Sequence, residues 1–464
     1  MENSPEQSLS LNKFNILLEQ AGIIDSSYPL SAIIWLPDGY KILNIAEQYL
    51  NILFEKYNYK RHIFPFLVSS KEFDHINDNI CSFEKGIYKV TESIILRPSG
   101  ESAIYPMFRK WIKTYNDLPL KVFQIGSIFR RGSTRGFMRS NENDFFIEAH
   151  AAFSSREEVE RELSSCNDMV NDFMKWLAIP TLKTIRPPWT NKPVAETEYA
   201  FDVFLPTKET ALLNVTYTQM QIFSKIFNIT FTNKNGIKDF TYQIEFGFSQ
   251  RCILISIWLL SNENNLFMLP IYSPIQIVIF QIDSPIIELN EYVDKIANIL
   301  KGSNIRIEVD KKSGQLYKRF GKYEKLGVPI RFEIGKKELD SEIIKIVRQD
   351  NKKALFISLN NIIPEIDKLF LEISSEALMN NEKNLIENTI YCTKTEDIKN
   401  LINSGKIAKI HLCFSEDCVK NIEKNVRSGE IVGFEYINKN GGDLGKCVNC
   451  QKPTSEIAYY SRRI

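Results

Sequence analysis

Residues 127–150 read SIFRRGSTRGFMRSNENDFFIEAH. Four arginines (Arg130, Arg131, Arg135, Arg139) and two glycines lie between apolar, aromatic-rich flanks, and Glu148 and His150 close the stretch. The pattern is that of a β-hairpin with fixed positive charge at its mouth. A phosphate-rich ligand suits such a cluster, because the guanidinium fork makes bidentate, charge-assisted bonds to phosphate oxygens. Arg131 and Arg135, at the turn itself, read equally well as a solvated tip. Arg130 and Arg139 stand where strand meets turn and can point back over a sheet. A further arginine, Arg251 in EFGFSQRCILISIW, falls in the first turns of an apolar helix. Cations avoid that end of a helix, where the dipole is already positive, so an arginine there makes sense if an anion is bound. The chain carries no glycine-rich P-loop and no G-x-G-x-x-G, so the common phosphate cradles are absent.

The second chemical constellation is C-terminal. HLCFSEDC supplies Cys413 and Cys418, and CVNC supplies Cys447 and Cys450. Two close pairs separated by a longer stretch have the spacing of a tetrahedral Cys₄ zinc site, with four unliganded thiols as the alternative. A closed four-thiolate shell leaves no open coordination position, so the role it implies is structural. Cys81, Cys166, Cys252 and Cys392 stand among apolar neighbours and read as buried free thiols.

A chain of 464 residues needs two to four domains, and 44% hydrophobic with 25% charged residues is the composition of a soluble globular protein with a real core. The net charge of +1 excludes a global basic field that would attract nucleic acid without specificity. The most apolar run, Cys252–Leu260, is far too short for a bilayer core. The N-terminus lacks the basic and apolar regions of a secretory signal, so a cytoplasmic location is expected.

Residues 1–28 read as an N-terminal extension with a short helix. Pro37-Asp38-Gly39 reads as a turn before an amphipathic helix over about Lys41 to Tyr57. HIFPFLV reads as a short strand interrupted by Pro65. Strand patterns then dominate (SIILRP, KVFQIGSIFR, FFIEAHAAF, YAFDVFL, ALLNVTYTQ, TYQIEFGF), broken by helices near Glu101–Tyr115 and Arg156–Leu177. That is an antiparallel α+β domain over 29–275. Past Ile275 strands and helices alternate, an α/β pattern assigned to 276–379, with a turn-rich stretch after IRIEVD. The polar, cysteine-bearing 380–464 forms a small third unit.

These segments resemble the prolyl-tRNA synthetase family of class II aminoacyl-tRNA synthetases, in its archaeal/eukaryotic-type branch. LRPSGESAIYPMFRKWIKTYNDLPLKVFQIGSIFRR is similar to the approach to motif 2, and WLPDGYKIL with FPFL to motif 1. FGFSQR and LPIYSPIQIVI are similar to motif 3 and its continuation, and GVPIRFEIGKKELD with VRQD to the anticodon-binding domain. The resemblance implies a class II antiparallel-sheet catalytic domain, an α/β anticodon-binding domain and a C-terminal zinc domain. It implies ATP and Mg²⁺, a structural Zn²⁺, proline and tRNA(Pro) as substrates, and a homodimer with Pro65 at its interface. Carried over by position, Arg130 holds the α-phosphate and the substrate carboxylate. Arg139 and Arg251 grip the ATP tail, and Thr216 lies near the nucleotide. Ser99 and Glu101 face the amino acid's ammonium group, with Glu148 and His150 in the same pocket.

Four departures stand out. Gly132 replaces the glutamate that reads adenine, and Leu213 replaces a pocket glutamine. Thr216-Tyr217-Thr218 stands where the family has Thr-Ser-His, so Thr218 replaces a histidine, and Glu245-Phe246-Gly247 stands for Ser-Trp-Gly. The expected activity is proline activation and transfer to tRNA. The alternatives are a paralogue that activates another amino acid, and a weakened RNA-binding or regulatory protein. Arg331, Phe332 and Arg348 are candidates for anticodon contact, and equally for core or surface.

Overall fold

The computed structural model describes residues 9–28, 32–79, 86–132, 138, 141–189, 194–282, 286–436 and 444–464, with the side chains of 75–79 excepted. Cys81, Arg135 and Arg139 therefore lie outside the described residues.

The site is carried by five antiparallel strands: β1 (Leu120–Phe129), β2 (Glu142–Phe153), β3 (Thr197–Phe204), β4 (Thr210–Met220) and β5 (Tyr242–Ser249), in the spatial order β1-β2-β5-β4-β3. Successive side chains along a strand point to opposite faces, and register partners share a face. On one face Ile147, Ala149, Ile244, Phe246 and Phe248 are buried together with Cys166, Met169, Val170 and Phe173 of helix α3 (Arg156–Trp176). Burying each of these large side chains contributes about 1.5–3 kcal/mol. The other face has a smaller core around Tyr105 and Phe108 of helix α2 (Glu101–Trp111), completed by Val122, Ala152 and Phe223.

The amphipathic helix near residue 40, α1 (Pro37–Lys56), begins earlier than its Pro-Asp-Gly signal suggests. Pro37 occupies the first helical turn, where its missing N–H costs nothing. Asp38 complements the dipole there. Gly39 is required because a Cβ would lie 2.1 Å from the carbonyl oxygen of Ile23. Between His62 and Phe66 there is no strand; the pairing is confined to Leu67–Ser69 against Ile94–Leu96.

Residues 277–358 form a five-stranded mixed sheet. The stretch expected to be turn-rich contains the helix Leu316–Lys325, which buries Tyr323. Its flanking glycines, Gly314 and Gly327, have positive φ and mark the ends of the helix rather than a run of turns. Phe332 is fully buried, Arg331 pairs with Glu324 and Glu333, and Arg348 pairs with Asp350 and Glu376. All three are engaged in the fold.

The 27-residue helix Ile362–Asn388 runs through the boundary expected at 379/380. The C-terminal unit is also not set apart from the catalytic sheet. Its strand Glu430–Glu435 pairs with Leu182–Ile185, producing one sheet of eleven strands. The chain end then returns to β4: Thr210 N–H donates to the Arg462 carbonyl at 2.8 Å, and Ile464 N–H to the Thr210 carbonyl at 3.1 Å. Cys166, Cys252 and Cys392 are buried free thiols.

Candidate active site

Two rows of register-matched residues cross the face that α2 packs against. One runs Val122–His150–Glu245–Tyr217–Glu198, and the next runs Gln124–Glu148–Gly247. Gly247 allows β5 to pass close over β2, since a Cβ there would meet the Ile147 carbonyl oxygen at 2.3 Å.

Glu148 is clamped from two sides. Gly100 N–H donates to its Oε1 at 2.8 Å and Gln124 Nε2 to its Oε2 at 2.7 Å. Gln124 in turn accepts from the guanidinium of buried Arg97 at 2.7 Å. This relay fixes the start of α2, because Gly100 is its N-cap and a Cβ at that position would strike the Glu148 carboxyl. Glu101 is thereby set at the first position of the helix, with Ser99 buried just before it. Glu101 Oε2 is buried and has no hydrogen-bond partner among the described residues.

Glu245 accepts from Gln219 Nε2 at 2.7 Å and from Tyr105 OH at 3.3 Å, both on Oε2. His150 Nδ1 lies 3.0 Å from Tyr105 OH and 3.3 Å from Glu245 Oε2. Burial pushes the imidazole down to about 3, so it is neutral and the second contact is not an ion pair. Burial, with Glu101 and Glu148 nearby, raises the Glu245 carboxyl well above the usual range. Burial and Glu101 likewise raise Glu148, against the opposing pull of Arg97. Three carboxyls thus converge near one buried guanidinium, and the pocket is electrostatically prepared for a small cation.

Beside it, a cleft of about 1050 Å³ is lined by Arg130, Phe146 and Arg251. Arg130 Nε donates to the Pro98 carbonyl at 2.8 Å, and the guanidinium lies 5.7 Å from the Phe146 ring centroid. Arg251 enters from helix α4 (Gln250–Leu260) and donates to the Met138 carbonyl at 3.3 Å. Gly132 is on the rim, with no atom within 4 Å of where a Cβ would stand.

The structure brings together Ser99, Glu101, Arg130, Glu148, His150, Glu245 and Arg251. Thr216 is a correction. Its register partner is Phe246, a core residue, so its hydroxyl faces α3 and not the cleft. Tyr217 shares the face of its register partner Glu245; Leu213 is buried in the core and Thr218 donates to the Thr197 carbonyl. Sequence reasoning also missed Arg97, Tyr105, Gln124, Phe146 and Gln219. Gln124 and Gln219 carried a usable signal, as amides at alternate positions of otherwise apolar strands.

The four C-terminal cysteines converge as well. Their sulfurs all lie within 4.8 Å of one another, with Cys413 Sγ 3.3 Å from Cys418 Sγ and 3.7 Å from Cys450 Sγ. Burial opposes ionisation of Cys447, but backbone N–H groups of Cys450, Cys413 and Asn449 outweigh it and bring the thiol to about 7. Four convergent sulfurs fit a divalent metal of zinc's preferences.

Comparison with known proteins places this geometry. Residues 85–258 match the class II tRNA synthetase core domain (G, H, P, S and T), and residues 276–369 match an anticodon binding domain. A proline–tRNA ligase from Thermoplasma acidophilum is 30% identical over 479 residues, covering 100% of both chains. One from Methanosphaera stadtmanae is 30% identical, covering 95% of this chain and 97% of that protein. The chain belongs to the proline–tRNA ligase family. It is an aminoacyl-tRNA ligase by that membership. The fold is shared with a prolyl-tRNA synthetase from Cryptosporidium parvum solved with halofuginone and AMPPNP (TM-score 0.92, 22% identity, 99% of each chain). The same protein solved with L-proline and AMP gives a TM-score of 0.90 at 21% identity, covering 99% of this chain and 96% of that one.

Proposed function

We propose that this ligase activates proline with ATP and transfers it to tRNA(Pro). The observation that carries the reading is the unpartnered, buried Glu101 carboxylate oxygen beside an arginine-lined cleft. An amino acid presents an ammonium group to the first and a carboxylate to the second. In this reading Glu101 takes the ammonium, Glu148 holds the Glu101 helix in place, and Arg130 takes the substrate carboxylate and the α-phosphate. Arg139 and Arg251 grip the phosphate tail, and Phe146 offers an aromatic face to adenine. The substrate carboxylate oxygen attacks the α-phosphorus in line and pyrophosphate leaves. A ribose hydroxyl of the tRNA end then attacks the carbonyl carbon, and AMP leaves. No protein nucleophile is required; catalysis is positioning and charge stabilisation. Mg²⁺, when bound with ATP, neutralises charge on the departing pyrophosphate.

Cys413, Cys418, Cys447 and Cys450 hold a structural Zn²⁺ in this reading. The exposed apolar side chains of Ile63, Phe66 and Leu67, flanking exposed Pro65, form the face of a homodimer. Among the described residues no helix is long and apolar enough to cross a membrane.

ATP–pyrophosphate exchange over a panel of amino acids tests the proposal, with proline-dependent exchange as the expected result. No exchange with proline from folded, metal-loaded protein would refute it. One observation favours a second reading, activation of another amino acid: Glu245 puts a carboxyl into the pocket where the family has serine. Exchange with a different amino acid would select that reading, and RNA binding without exchange a regulatory role.

A further inference from the structure

The cleft has a second wall. Opposite Arg130, Phe146 and Arg251 it is lined from the C-terminal unit by Arg427, Arg462 and Arg463. Arg463 is committed to the fold, paired with buried Asp202 at 3.2 Å and with Glu430 at 3.7 Å. The other two are not so committed. Arg462 donates only to the Asn403 carbonyl at 3.2 Å, and exposed Arg427 has no side-chain hydrogen bond or ion pair among the described residues.

Both cations nevertheless stand on fixed backbone. The carbonyl of Arg462 accepts from Thr210 N–H, and the loop of Arg427 is held by Tyr460 OH, which lies 2.6 Å from the Val426 and Gly429 carbonyls and donates to one or the other. The chain thus presents two guanidinium groups without a carboxylate partner across the cleft from the arginines read as nucleotide contacts. A volume of about 1050 Å³ is at the upper end of what small-molecule sites use, leaving room for more than one small ligand.

We propose that Arg427 and Arg462 form a phosphodiester-binding rim for the single-stranded 3′ end of tRNA as it enters the cleft. The inference rests on the tRNA-charging reading above. Arginine suits the task because its planar fork engages phosphate oxygens in pairs without reading the base. The same chemistry would also bind the phosphate tail of ATP or free pyrophosphate, so the test must separate the two sources.

The test compares the full-length chain with the Arg427→Glu and Arg427→Glu/Arg462→Glu variants, in tRNA(Pro) aminoacylation and in ATP–pyrophosphate exchange. The expected result for the double variant is a KM for tRNA raised about tenfold or more, the loss of two charge-assisted contacts. The dependence of tRNA affinity on salt should become shallower by about 0.7 per lost contact on a log–log plot. Exchange constants for ATP, pyrophosphate and proline should stay within about twofold. Lysine at both positions should restore most of the tRNA affinity. An unchanged KM for tRNA overturns the proposal, as does a parallel rise in the constants for ATP or pyrophosphate. If the parent chain gives no exchange with proline, the function proposed above fails. The tRNA dissociation constants of parent and variants, with their salt slopes, then still decide the rim. Arg427→Glu alone guards against misfolding, since that side chain holds nothing in place.

Discussion

Replacing Glu101 by glutamine isolates the contact on which the proposed reading depends. The substitution keeps the size of the side chain, the helix start and the Glu148 clamp on Gly100, and removes one negative charge. In the parent, Oε2 is buried without a partner among the described residues, and a bound ammonium group would supply a hydrogen bond there. A hydrogen bond to a charged group contributes about 1.5–3 kcal/mol. At about 1.4 kcal/mol per factor of ten, the KM for proline should rise roughly 10- to 150-fold. The KM for ATP should move by no more than about twofold, because the nucleotide is held by arginines on the other side of the cleft. Stability supplies the control. Glu101 raises both Glu148 and Glu245, so removing it relieves repulsion in the empty pocket. That relief offsets the loss of about 0.3–1 kcal/mol of helix-dipole complementarity. Exchange kinetics at varied proline, paired with thermal unfolding, decide the matter. A proline KM within threefold of the parent, or equal losses for proline and ATP, would refute Glu101 as the ammonium partner.

Asp202→Asn should cost about 3–5 kcal/mol in denaturant unfolding, because buried Asp202 accepts from Arg186 at 2.8 Å on both oxygens and from Arg463 at 3.2 Å. Metal analysis should find zinc bound to the parent chain, and Cys450→Ser or prolonged chelation should remove it and lower the melting temperature. The buried imidazole of His150 sets a pH dependence: its folded value, about 3, lies below the ordinary 6.5, so the unfolded chain binds the extra proton between them. Stability from this group is complete above about 6.5 and falls with pH toward 3, by about 2 kcal/mol between pH 7 and pH 5. His150→Gln should remove that acid-side loss relative to the parent. Glu245, raised instead of lowered, has the opposite sign: its contribution falls as pH rises above the ordinary carboxylate value, and Glu245→Gln should remove that fall.

How much of this was legible in the sequence depends on how local each feature is. The strands carrying the site follow from alternation over eight or more residues, and the cysteine cluster follows from pair spacing. The helix Leu316–Lys325 was hidden because the glycines at 314, 321 and 327 read as turns, whereas its stability comes from packing Tyr323 against Val278, Phe280 and Val328. Thr216 is expected near the nucleotide only from its positional resemblance to the family. Its face, however, is set by pairing with β5, and register shifts on β4 at 212/214 and 217/220 make that face unreadable from alternation alone. The second wall of the cleft was out of reach for a different reason. Its anchor joins Thr210 to Arg462 across 252 positions, a closure with no local sequence signal.

That closure also explains why two opposite electrostatic tasks can share one sheet. The acidic pocket is sunk beneath α2, where burial keeps His150 neutral and favours the protonated form of Glu245. A fully ionised trio of glutamates would repel strongly at low dielectric, so suppressing one charge makes the empty pocket tolerable and leaves Glu101 to answer an incoming ammonium group. The cleft, by contrast, gathers Arg130 from just past β1, Arg251 from α4 and Arg427, Arg462 and Arg463 from the C-terminal unit, and of these Arg463 is paired with buried Asp202. Charge is therefore offset at buried Asp202, whereas Arg427 and Arg462 have no carboxylate partner among the described residues. On that logic the altered residues fall into two kinds. Gly132 removes a side chain from an open rim, where substitution costs the fold nothing. Glu245 adds a buried ionisable group that needs Tyr105, Gln219 and His150 around it. A change that requires three partners is a change in the pocket's chemistry, and the amino-acid panel should register it in the ratio of proline to its competitors.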